Sequence, residues 1–272
     1  MIPELFRIGN LSVSPFGVML VAAFLVAYWQ LARGMRRLGI GDADAASAVV
    51  VAGGLGGILG AKVYYAILNW DWRLLLERYG LVWYGGFIVG TVAVLWTMRR
   101  RSLPLWPTLD AATPGLALGY GVGRIGCFLV GDDYGVPTRL PWGVVFEQGL
   151  PPTSAFYLRR EFGIAIPEEI PGATFMAVHP TQLYETAAAL AIWGVGVALL
   201  RRRPAPGAVA LPIFALLAVE RFLIELVRAK DDRLLGPLTV AQAISLVVLG
   251  AVALIALRRR RLAAPVGLPD AA

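Results

Sequence analysis

Arg124 and Arg221 each lie deep within a run of mostly apolar residues long enough to cross a bilayer. A guanidinium facing lipid costs about 2.5 to 3.5 kcal/mol on insertion scales, so such residues face a bundle interior or a watered cavity and act there. The planar fork of arginine matches phosphate or carboxylate oxygens in pairs. In a membrane, a lipid headgroup is the fitting anion. Arg221 stands in Glu220-Arg221-Phe-Leu-Ile-Glu225-Leu-Val-Arg228. Spacings of four and three put Arg221, Glu225 and Arg228 on one helical face, where Glu225 can hold both arginines. A self-neutralising structural ion pair is the alternative reading.

Arg124 is surrounded by glycines at 119, 121, 123, 126, 131 and 135. Glycines allow a close backbone approach, either to a ligand or to a packed neighbouring helix. With an arginine in their midst, the ligand site is the preferred reading. His179-Pro180-Thr181-Gln182-Leu183-Tyr184-Glu185 opens another apolar stretch, with Pro180 suited to a first helical turn. His179 is the only histidine; it is read either as a capping, hydrogen-bonding residue or as a proton acceptor. Lys62 ends a glycine-dense stretch that starts at Gly53 and either snorkels to the surface or binds ligand. The single cysteine, Cys127, excludes an internal disulfide framework, and no Cys/His grouping has metal-ligand spacing. Neither a metal nor a cofactor is expected.

The elements that must position these residues are membrane helices. Of 272 residues 58% are hydrophobic, only 16% are charged, and the mean hydropathy is +0.67; soluble chains carry about 25% charge. Apolar windows fall near 14–32, 47–68, 82–98, 109–130, 180–200, 207–227 and 239–257. The expected fold is an all-α integral membrane protein with seven transmembrane helices, forming a single membrane domain over residues 1–272. The first window lacks a basic leader and a small-residue cleavage site, so it is read as a retained helix.

Arginines 33, 36 and 37, 99 to 101, 201 to 203 and 258 to 261 follow every second window. Because cytoplasmic loops collect Lys and Arg, the N-terminus is expected outside and the C-terminus in the cytoplasm. The four clusters explain the pI near 9.9 without a nucleic-acid partner. Residues 132–178, rich in Pro and Gly, form an expected small extracytoplasmic head between the fourth and fifth windows. Within it, Trp142 to Glu147 alternates as a short strand and Ser154 to Phe162 fits a short helix. Residues 69–81, with Trp70, Trp72 and Tyr79 among charges and leucines, read as an interfacial amphipathic piece.

Taken together, three motifs carry a family resemblance: Gly123-Arg124-x-Gly126-x-Phe128 with Gly131 and Gly135, His179-Pro-x-Gln-Leu-Tyr-Glu185, and Arg221-Phe-x-x-Glu225-x-x-Arg228. With Trp83-Tyr84-Gly85-Gly86 opening the third window, the chain resembles the phosphatidylglycerol:prolipoprotein diacylglyceryl transferases. The resemblance implies a bacterial plasma-membrane enzyme of lipoprotein biosynthesis that uses no cofactor. It would move the diacylglyceryl group of phosphatidylglycerol to the lipobox cysteine thiol of a preprolipoprotein signal peptide, releasing glycerol phosphate.

Several positions depart from the family pattern. Tyr84 stands where the family has histidine, Cys127 and Val130 replace asparagines, Asp132 replaces glutamate, and Phe16 replaces tyrosine. The arginines are kept while neutral hydrogen-bonding partners are lost. The expected roles are phosphate binding by Arg124 and Arg221 and catalytic parts for Tyr84, His179 and Asp132. Gly123, Gly126, Gly135, Glu185, Glu225, Arg228 and Lys62 are expected to line the substrate site. Two rivals stand beside this reading: a diverged paralogue with another acceptor, and a non-catalytic phospholipid-binding or transport protein.

Overall fold

A computed structural model describes residues 4–9, 11–75, 77, 80, 82–202, 204–230, 233–235 and 238–263. Arg78, Tyr79 and Arg203, within segments used in the sequence reading, lie outside the described residues. Helices occupy all seven apolar windows: α1 (Pro15–Leu38), α2 (Ala43–Asn69), α3 (Trp83–Arg100), α4 (Leu105–Val130), α6 (Thr181–Arg201), α7 (Ala210–Ile224) and α8 (Val240–Ala263). The eighth, α5 (Ala155–Phe162), is the short helix expected after Ser154. The amphipathic piece begins as a 3-10 turn, Trp72–Leu75.

By length and composition α1, α2, α6 and α8 suffice to cross a membrane. The 24 residues of α1 would span about 36 Å at 1.5 Å per residue, against a hydrocarbon core of about 30 Å. Leu55, Phe87 and Val247 remain more than half exposed, and such uncovered apolar surface belongs against lipid. The protein is a membrane protein. Two details differ from expectation. α7 holds only 15 residues, because the chain turns out of the helix at Glu225. Two small antiparallel hairpins are also present, β1 (Phe6–Ile8) with β2 (Leu11–Val13) and β3 (Arg233–Leu235) with β4 (Leu238–Thr239).

The contacts group the chain into two compact units. One comprises residues 16–126 and 189–210. In it the glycines of α2 and α3 interlock: a Cβ on Gly60 would collide with the Gly85 carbonyl oxygen, and one on Gly56 would stand 2.8 Å from Ala93 Cβ. α4 meets α1 the same way, with Gly115 against the Ala27 carbonyl and Gly126 against Met19. Leu31, Met35, Ala46, Met98 and Ala111 form the core there. Asp42 caps α2 by accepting the Ala45 N–H at 2.9 Å. That bond and nearby backbone N–H groups hold its carboxyl below the usual carboxylate range. Asp110, buried on α4, accepts the backbone N–H groups of Gly207, Val209 and Ala210 at 2.6, 3.0 and 2.7 Å and so caps the start of α7.

The other unit comprises residues 1–15, 127–188 and 211–272. Its core gathers Tyr134, Phe146, Leu158 and Val178, with the Tyr134 and Phe146 rings stacked at 5.5 Å. The Tyr134 hydroxyl donates to the Pro151 carbonyl at 2.8 Å, and burial pushes its ionisation up. The strand expected at 142–147 is reduced to an isolated bridge between Val144 and Val178. With Pro151 and Pro152 nearby and a turn at Pro141-Trp142, the ladder cannot extend.

Candidate functional site

The site is built on a short backbone frame around Gly135. The Gly135 N–H donates to the His179 carbonyl at 2.8 Å, the Val136 N–H to the Val227 carbonyl at 2.9 Å, and the Ala229 N–H to the Tyr134 carbonyl at 3.1 Å. The chain at 134–136 is therefore flanked on one side by 227–229 and on the other by 178–179. A Cβ at Gly135 would stand 2.5 Å from the Val227 oxygen and 2.7 Å from His179 Cβ, which only glycine avoids. This frame brings the His179 motif and the Arg228 motif together across a single residue.

Upon it sits an ion-pair network. Arg221 Nη2 lies 2.7 Å from Glu225 Oε2, and Arg221 Nη1 lies 3.8 Å from Glu185 Oε1. Arg228 Nη1 is 3.7 Å from the same Glu225 oxygen, and Arg228 Nη2 pairs with Asp133. Glu225 thus holds both arginines, as its spacing implied. Arg228 does so from beyond the end of α7, in a bridge with Gly135, and not from a shared helical face. Glu185 and Glu225 are 1% and 6% exposed, so their charges need these partners. Within this unit three carboxylates meet two guanidinium groups. Nevertheless, Arg221 Nη1, Arg228 Nε and both Glu225 carboxylate oxygens are buried without a hydrogen-bond partner among the described residues. A buried guanidinium donor left without an acceptor is costly and marks a place where an oxygen-bearing ligand is expected.

Around this network, Gln182 Nε2 donates to the Asp132 carbonyl and Thr181 Oγ1 to the Asp133 carbonyl, tying the first turn of α6 to the end of α4. Cys127 Sγ and the carboxylates of Asp132 and Asp133 come within 4.8 Å of one another. These three offer one sulfur and two carboxylates to a cation. Their mixture of soft sulfur and hard oxygen fits no single metal preference, and Asp133 is already engaged by Arg228. His179 Nδ1 stands 3.3 Å from the Tyr184 hydroxyl, which also receives the Trp142 indole N–H at 2.7 Å.

The expected residues His179, Asp132, Gly135, Glu185, Arg221, Glu225 and Arg228 all belong to this unit. Arg124, Gly123, Gly126, Tyr84 and Lys62 belong to the other. Arg124 is buried on α4, 9% exposed. Among the described residues nothing lies within 4 Å of where a Gly123 Cβ would point, whereas Gly126 is explained by packing on α1. Tyr84, 44% exposed, sits in the first turn of α3. The Lys62 ammonium donates to the Glu77 carbonyl.

Sequence reading missed Asp133 and Trp142. The acidic pair Asp132-Asp133 was the available signal for the first. For Trp142, lying 42 residues from Tyr184, no local signal exists.

The sequence model of the prolipoprotein diacylglyceryl transferase family matches residues 3–258. Phosphatidylglycerol–prolipoprotein diacylglyceryl transferases of Synechococcus elongatus and Gloeobacter violaceus are each 30% identical to this chain. The alignments cover 94% and 95% of it and 89% and 93% of the relatives. The enzyme of that name from Xylella fastidiosa is 32% identical over 90% of this chain and 88% of its own length. With the motifs, the apolar helices and a match over nearly the whole length in agreement, the chain belongs to the prolipoprotein diacylglyceryl transferase family.

Proposed function

We propose that this protein transfers the diacylglyceryl group of phosphatidylglycerol to the cysteine thiol of a preprolipoprotein signal peptide. The observation that carries the reading is the buried network in which Glu225 and Glu185 hold Arg221 while its Nη1 makes no hydrogen bond among the described residues. In the reaction the lipobox sulfur, as thiolate, attacks the glyceryl carbon. A carbon–sulfur bond forms, the carbon–oxygen bond to phosphate breaks, and glycerol phosphate leaves with the electron pair. Charge builds on phosphate oxygens as that bond breaks, and preset cations lower the barrier there. Arg221 is assigned this role in its unit, and Arg124, in the other, keeps the phosphate-binding role that its motif implies. Glu225 and Glu185 orient the Arg221 fork, and Asp133 with Glu225 orients Arg228.

The seven helices at the apolar windows are assigned as seven membrane crossings, with the N-terminus outside, the C-terminus in the cytoplasm and 132–178 as an extracytoplasmic head. The arginine clusters support this orientation. Arg37 also donates to the Leu200 and Arg201 carbonyls at the end of α6, so two of the clusters meet at one level. The deciding experiment supplies purified protein in phosphatidylglycerol vesicles with a lipobox peptide and measures thioether product by mass. Product formation that requires the peptide cysteine supports the assignment. Lipid binding or translocation without product overturns it in favour of a phospholipid-binding protein.

A further inference from the structure

We propose that Trp142 and Tyr184 form a one-way hydrogen-bond relay that holds His179 with its ring hydrogen on Nε2, making the only histidine a donor to a substrate oxygen and not the acceptor of the thiol proton. This extends the transferase reading to the role of a residue whose chemistry the motif leaves open.

The direction of the relay follows from what each group can do. An indole N–H only donates, so at 2.7 Å the Trp142 nitrogen must give its hydrogen to the Tyr184 oxygen. Among the described residues that hydroxyl has one other partner, His179 Nδ1 at 3.3 Å. If Nδ1 also donated, the phenol oxygen would accept twice and its own hydrogen would face no protein acceptor. If the hydroxyl donates to Nδ1, all three groups are used in sequence. A neutral imidazole carries one hydrogen, so an accepting Nδ1 puts that hydrogen on Nε2.

The surroundings hold this arrangement in place. Tyr184 lies in the first turn of α6, and its ring meets the His179 ring edge-on at 6.1 Å. The His179 backbone is fixed at both ends, its N–H on the Val136 carbonyl and its carbonyl on the Gly135 N–H. Gly135 is bridged in turn to Arg228. The half-buried ring thus belongs to the frame that carries the arginines, and among the described residues its Nε2 has no protein partner. An Nε2–H donor on the backbone frame shared with Arg228 suits a phosphate or ester oxygen of the lipid.

Because His179 is the sole histidine, protein labelled with 15N-histidine in phosphatidylglycerol nanodiscs gives one imidazole. Long-range 1H–15N correlation then reads its tautomer directly. The expected result is a pyrrole-type Nε2 and a pyridine-type, hydrogen-bonded Nδ1. Tyr184→Phe should abolish the hydrogen-bond shift on Nδ1 and let the Nδ1–H form appear. A pyrrole-type Nδ1 in the unsubstituted protein overturns the relay.

In the transfer assay His179→Gln, which keeps a donor near the Nε2 position, should retain activity within about tenfold, the value of one hydrogen bond. Loss of a general base would cost at least about 100-fold, and a deficit of that size in His179→Gln overturns the donor role. Trp142→Phe combined with Tyr184→Phe should be no worse than Tyr184→Phe alone, since both act through one ring; additive losses count against the relay. An unsubstituted protein with the Nε2–H tautomer and no thioether product would sink the transferase reading and leave the relay standing.

Discussion

At the residue scale, the electrostatic setting of Arg221 is the most telling. Arg221 is held by two buried carboxylates, yet among the described residues its buried Nη1 makes no hydrogen bond. Its value should depend on the fork: Arg221→Lys is expected to lower transfer by about 10-fold or more, because an ammonium cannot reach Glu225 and a phosphate oxygen together. Glu225→Gln should retain more activity than Glu225→Ala, since the amide still accepts one hydrogen bond. Equal and complete loss in both variants would assign Glu225 a proton-transfer role. Tyr84 tests the departure from the family. Tyr84→Phe is expected to slow transfer by a small factor and Tyr84→His to match or exceed the unsubstituted rate, as read from initial rates against pH. A dead Tyr84→Phe enzyme that still binds phosphatidylglycerol would make the phenol the leading proton acceptor.

At the element scale, glycines that look alike in the sequence do different work. Gly60 and Gly126 are closed by neighbouring backbone or side-chain atoms, while the space beside Gly123 is open. Gly60→Ala should therefore separate α2 from α3 and lower the melting temperature in detergent. Gly123→Ala should melt normally and lose transfer if lipid approaches the helix there. A Gly123→Ala protein with full activity would remove that glycine from the site. α7 depends on Asp110, which takes three backbone N–H groups at its start. Removing a buried acceptor leaves those donors unpaired at about 1 to 3 kcal/mol, so Asp110→Ala should be less stable than Asp110→Asn. The helices themselves were legible because each apolar run is long enough to declare itself. The end of α7 was not: the helical spacing of Arg221, Glu225 and Arg228 continues through a turn, and only pairing with Gly135 shows that Arg228 has left the helix.

At the scale of the whole molecule, exposed apolar helix surfaces mark a membrane protein, and the basic clusters at alternate boundaries are the basis of the proposed orientation. The chain carries a single, buried cysteine, which makes the orientation directly measurable. With Cys127 replaced by Ser, a cysteine introduced at Arg139 should react with an impermeant maleimide added outside intact cells, and one introduced at Arg202 should react only after lysis. The reverse pattern would invert the assigned topology.

Composition and apolar run length by themselves determined that this chain enters a membrane and where its helices lie, because in hydrocarbon every backbone polar group must be satisfied within its own segment. Motif spacing also singled out candidate ionisable residues, since a charge among apolar residues survives only for a reason. What only the tertiary structure decided is which groups meet. Gly135 brings residues 178–179 and 227–229 to its two sides, and Asp133 reaches Arg228. Trp142 finds Tyr184 across 42 positions. Such pairings depend on chain reversals through a proline- and glycine-rich segment that has no period of its own, so no local pattern records them.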